Sequence, residues 1–146
     1  MNRPLFAAFL LLALAAGIPT GCEPARSPAR VRELALPQGF VDTPVAGALP
    51  AGDVLVAGWA LSVDGIEGVS VYADGRFVDS AVLGFPRPDV AAALPSDPRA
   101  ATSGFQILLP AQEFPAGPVT LLVQARAHSG ATRDLAVLPV VFPGPR

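Results

Sequence analysis

The side chains able to do chemistry are few and widely spaced. Cys22 is the only cysteine and His128 the only histidine in 146 residues. A hydrolytic triad needs a base held against its nucleophile. Ser129 does follow His128, but the run Ala127-His128-Ser129-Gly130 reads as a turn, where neighbours rarely present a nucleophile and a base to one another. Asp64 and Glu67 flank Gly65-Ile66, and Asp74 opens an Asp-Gly pair. Two carboxylates held across a cleft could cleave a glycosidic bond, and loop carboxylates could take calcium. These three fall on expected exposed turns, with nothing to push their pKa values apart and no calcium-loop spacing. Structural zinc needs several Cys or His ligands, so one of each excludes it. A single cysteine also excludes an intramolecular disulfide. No cofactor-binding loop is visible, so neither a cofactor nor catalysis is expected.

Recognition chemistry has better candidates. In Phe85-Pro86-Arg87-Pro88-Asp89-Val90, two prolines fix the backbone around Arg87, whose planar guanidinium can hold a carboxylate through two hydrogen bonds. Arg87 and Asp89 could form part of a recognition loop, or they could pin that loop to the domain. Trp59 and Tyr72 could stack on a sugar, but Trp59 lies in an apolar run and is expected to fill the core. Phe40, Phe77, Phe105 and Phe142 occupy strand-like positions and are likewise expected inside. Phe85 and Phe114, near loops, are the better candidates for exposed contacts.

Every basic residue is arginine, ten against twelve acidic residues. No basic cluster tracks a phosphate backbone, which argues against nucleic acid as a partner.

The N-terminus carries an address. Met1-Asn2-Arg3 is a short positive end, Leu5 to Ile18 is uncharged and apolar, and Pro19-Thr20-Gly21 breaks the run before Cys22. This is the layout of a secretory signal over residues 1–21, too short to span a bilayer as a helix. Small residues followed at once by cysteine resemble the lipobox of bacterial lipoproteins, whose cysteine is lipidated and becomes the new N-terminus. Pro19 departs from the leucine that family prefers three residues before the cysteine. The other reading is an ordinary signal peptide with Cys22 left as a free thiol. The lipobox resemblance implies a membrane partner through the lipid, at the outer membrane or on the outer face of the inner membrane; otherwise the protein is secreted.

The remaining sequence must supply the scaffold. Residues 22–38, rich in Pro, Ala and Arg, read as the lipidated cysteine and a tether. Residues 39–146 read as one domain of short β-type runs. Phe40 to Thr43 is a first strand. Asp53 to Ser62 is a mostly apolar one that is covered on both sides or bends at Gly58. Gly68 to Ala73 alternates, Asp74-Gly75 is a strong hairpin signal, and Arg76 to Leu83 returns. Gly84 to Ser103, with Pro86, Pro88, Pro95 and Pro98, is the one long irregular segment. Strands follow at Gly104 to Leu109, Val119 to Ala127 and Arg133 to Phe142. This spacing predicts an all-β, antiparallel sandwich of about seven strands.

Taken together, Gly58-Trp59-Ala60-Leu61, Val69-Ser70-Val71-Tyr72-Ala73-Asp74-Gly75, Arg87-Pro88-Asp89-Val90 and Ser103-Gly104-Phe105 resemble a group of bacterial Ig-like domains found in secreted and surface proteins. Phe40-Val41-Asp42-Thr43-Pro44 matches the first strand of that group. The resemblance covers nearly everything from Gly39 onward. It implies an Ig-like sandwich and no shared catalytic residues. The expected function is a non-enzymatic binding or spacer module of the cell envelope, with envelope proteins or glycans as partners. The alternative is a carbohydrate-binding module that uses loop aromatics.

Overall fold

Alternation is what turns these short runs into strands with a dry side and a wet side. In Val119, Leu121, Val123 and Ala125 every second side chain is buried, and Val69 and Val71 answer them from the neighbouring strand. The computed structural model describes residues 36–143. The expected signal segment, Cys22 and most of the tether lie outside the described residues.

Nine strands are formed: β1 (Gln38–Thr43), β2 (Gly47–Ala48), β3 (Val54–Leu61), β4 (Ile66–Ala73), β5 (Arg76–Ser80), β6 (Val82–Phe85), β7 (Gly104–Leu109), β8 (Gly117–Ala127) and β9 (Thr132–Phe142). One sheet has the order β1-β3-β7-β6 and the other β2-β9-β8-β4-β5. All neighbours are antiparallel except β2 and β9, which pair in parallel over Gly47↔Val140 and Ala48↔Val141. In immunoglobulin lettering the sheets are A-B-E-D and A′-G-F-C-C′, so the chain folds as an antiparallel Ig-like β-sandwich. Phe105, Phe142, Leu109, Leu121 and Val56 fill the space between the sheets.

The Asp74-Gly75 hairpin forms as expected, with φ of 48° and 79° at its two central residues. The return from it differs. Rather than one strand over Arg76 to Leu83, the chain changes sheets at Ala81, whose N–H bonds to the Val69 carbonyl (2.8 Å). Strands β5 and β6 therefore sit in opposite sheets, and the strand count rises.

The Gly84 to Ser103 segment is also more ordered than its prolines suggest. It contains the end of β6, a short helix α1 (Pro88–Ala93) and a 3-10 turn over Ala100–Thr102. Pro88 fits the helix start because the missing N–H has no partner there anyway. Six residues are too few to display a 3.6-residue period. This layer packs on the outside of the β1-β3-β7-β6 sheet, where Leu61, Val90 and Ala100 form a second buried cluster.

Several aromatic positions depart from expectation. Trp59 does not fill the space between the sheets; it is half-buried on the outer face of β3, against the Leu61–Val90–Ala100 cluster. Phe40 is 60% and Phe77 57% exposed, because their neighbours Val41 and Val78 take the inward positions. Phe114 is buried and stacks on Phe142, with ring centroids 4.4 Å apart, closing the sandwich below the 3-10 turn Ala111–Glu113. Gly58 lies within an unbroken β3, in register with Phe105. A methyl group there would strike the Phe40 carbonyl oxygen and lie 2.8 Å from the Phe105 ring, so a residue with no side chain lets the β1 backbone and the Phe105 ring both approach β3.

Candidate functional site

Arg87 stands at the N-terminal boundary of α1, without a side-chain capping bond, and its side chain is only 17% exposed. Its Nε donates to Asp89 Oδ1 at 2.9 Å, and Nη2 donates to Asp89 Oδ2 at 2.6 Å. Nη1 reaches across to Asp42 Oδ2 on β1, also at 2.6 Å. Its backbone N–H donates to the Ala101 carbonyl (2.8 Å) and its carbonyl accepts from Ala91 N–H (3.0 Å). The fork-on-carboxylate geometry lowers the Asp89 carboxyl to about 2. Its hydrogen bonds to Asp89 and then Asp42 raise the guanidinium well above its ordinary value, against the pull of burial.

Sequence reasoning missed a second clamp. Arg99 donates from Nε and Nη2 to Asp97 (3.0 and 3.1 Å), and from Nη1 to the Val63 carbonyl at 2.8 Å. Asp97 is held below the usual carboxylate range by Arg99, and Arg99 is raised in turn. Its signature lies in the sequence: Arg87-Pro88-Asp89 and Asp97-Pro98-Arg99 are mirror images across the loop. In each, proline spaces an arginine and an aspartate so that they face one another. The arginine then ties the loop to a distant part of the fold, β1 in one case and the β3–β4 connection in the other.

The candidate catalytic groups are not assembled. His128 is exposed on the β8–β9 turn, its N–H donating to the Gly65 carbonyl at 3.2 Å. Glu67 pairs with Arg126 at 2.8 Å. Asp74 accepts from Thr120 N–H (2.8 Å) and returns a backbone bond to the Thr120 carbonyl (2.9 Å), closing the hairpin end. Among the described residues, no three His, Cys, Asp or Glu side chains gather as a metal site.

Two surface clefts stand out among the described residues. One of about 280 Å³ lies beside the second clamp, between Leu61, Ser62, Leu83, Arg99 and Thr102. The other, about 530 Å³, opens between the sheets at the Asp74 hairpin, with Phe114 and Val119 within and Arg76 and Glu113 at its mouth. On the outer face of the β2-β9-β8-β4-β5 sheet, Phe77 meets Tyr72 edge-on at 5.8 Å. Phe85, expected among exposed loop aromatics, is half-buried at the end of β6.

No protein-family model matches the chain, and no curated protein matches it. Among solved structures it is similar to one described as "Structures of Clostridium thermocellum CbhA fibronectin(III)-like modules", with 15% identity and a TM-score of 0.47. That match covers 75% of this chain, which spans about half, 48%, of the other.

Proposed function

We propose that this chain is a non-enzymatic binding or spacer module held at a bacterial cell envelope by a lipid on Cys22. The observation that carries the reading is the sole cysteine placed directly behind a charged start, an apolar run and Thr20-Gly21. A thiol opening a secreted chain has few other uses. The polar groups that sequence alone offers for chemistry support the non-enzymatic part. Arg87, Asp89, Asp74 and Glu67 are engaged with partners inside the domain. Arg87 and Asp89 act here as a loop pin rather than as a recognition pair.

Metabolic labelling with a fatty-acid analogue tests the anchor. The wild-type protein takes up label and Cys22→Ala does not; equal labelling, or none in either, ends the lipoprotein reading. A second reading, glycan binding, draws on Phe77, which is exposed beside Tyr72. Phe114, buried on Phe142, no longer serves it. A glycan array comparing wild type with Phe77→Ala separates a sugar-binding module from a spacer.

A further inference from the structure

The two outer faces of the sandwich differ in chemistry. On the β2-β9-β8-β4-β5 sheet, outward positions mix exposed Phe77, Val137 and Val141 with charged and polar pairs, Glu67 with Arg126 and Gln124 with Asp134. On the β1-β3-β7-β6 sheet, outward positions include Phe40, Leu55, Ala57, Val82, Gln106 and Leu108, with Gln38 and Asp42 along the β1 edge. They neighbour one another through the registers Leu55↔Leu108, Ala57↔Gln106 and Val82↔Gln106, with Phe40 beside Trp59. Phe40, Val82 and Leu108 are each more than half exposed. The one carboxylate on this face, Asp42, is paired with Arg87. An uncharged sheet face of this kind marks an interaction surface.

We propose that this face rests on the lipid surface that carries the anchor, an inference that depends on the Cys22 lipid of the preceding section. Where the chain enters supplies the reason. Strand β1 is an edge strand of this same sheet, and Phe40 is its third residue, about 7 Å from the start at Gln38. Fourteen peptide steps separate Cys22 from Leu36, so the domain stays within at most about 50 Å of an anchored cysteine. Such a tether makes docking intramolecular, at an effective concentration on the order of millimolar. A patch too weak to bind membranes alone is then occupied a large part of the time. Phe40, Val82 and Leu108 would enter the headgroup region, while the opposite face, which carries the Glu67–Arg126 pair and Asp134, looks away from the membrane.

Trp59, the only tryptophan, sits beside Phe40 and reports on this contact. The mature chain beginning at Cys22 is coupled through that thiol to maleimide lipid in vesicles of phosphatidylcholine and phosphatidylglycerol, with or without brominated acyl chains. Chemical coupling supplies the anchor, so the result is independent of whether cells lipidate Cys22, which fatty-acid labelling reads separately. Bromolipid is expected to lower Trp59 emission roughly twofold, as for a millimolar-affinity patch at millimolar effective concentration. Phe40→Asp and Leu108→Asp, both exposed, should abolish the quenching without changing Tm. Quenching that persists in both variants, or is absent from the coupled wild type, overturns the proposal. So does a dimer in sedimentation velocity that the same substitutions disperse, since a second copy would then cover the face.

Discussion

The space between the sheets and the shelf under the proline loop are both apolar, but they are secured by different means. Between the sheets, Phe105, Phe142, Leu109 and the alternating valines are held by packing that requires no polar partner. On the shelf, Leu61 and half-buried Trp59 of β3 meet Val90 and Ala100 of a layer tied at each end by an arginine clamp. A strand buries its inward residues wherever the sheet forms. A short loop layer has too little apolar area of its own and needs charged fasteners at its rim. The contrast predicts a tough interior beneath an outer layer that ionic conditions can loosen.

The largest effect should come from Phe105→Ala, which empties the middle of the interior and costs about 3–5 kcal/mol by chemical denaturation. Next is Gly58→Ala, whose methyl group meets the β1 backbone and the Phe105 ring. Overpacking of this kind costs about 1–3 kcal/mol, and a neutral result would mean β1 yields more easily than its register implies. Trp59→Ala sharpens the comparison. Read as a core residue it would unfold the domain; from its place on the shelf it should cost about 2 kcal/mol and leave near-ultraviolet signals of the interior intact. A loss equal to that of Phe105→Ala would collapse the distinction between the two regions.

Smaller again is Arg87→Ala, expected to lower Tm by about 5 °C, since its partners are largely solvated. Unchanged melting with loss of a partner would instead make Arg87 a recognition residue. The least disruptive test is acid. Asp89 is depressed to about 2 in the folded protein from an ordinary value of 3.8. Its contribution is therefore complete above about pH 4, declines as pH falls and is gone below about pH 2. Trp59 emission, reporting the shelf, should change across that interval before far-ultraviolet circular dichroism does.

Much of this architecture could be read from the residues, and the failures have a common cause. Period-two runs such as Val119 to Ala125 and the Asp74-Gly75 turn mark strands and a hairpin without reference to anything distant. The strand-like positions of Phe40 and Phe77 and the apolar run around Trp59 point to the interior, although parity decides. Once Val41, Gly58 and Val78 face inward, their neighbours must face out. Phe114 lies beyond a 3-10 turn, where no period indicates a side. The clamps were half legible: Arg87 and Asp89 stood out, but their tie to Asp42, 45 residues away, depends on the folded register. The mirrored Asp97-Pro98-Arg99 was there to be noticed.

The brevity of β2 has an effect on how copies of this protein behave together. Val141 turns its carbonyl toward β2, accepting from Leu49 N–H at 3.0 Å, so Pro139, two residues back, turns its nitrogen the same way. Beyond the two residues that β2 covers, a foreign strand seeking to zip onto this rim meets a ring nitrogen with no hydrogen to offer. Fibril growth from that side is interrupted at its first rungs.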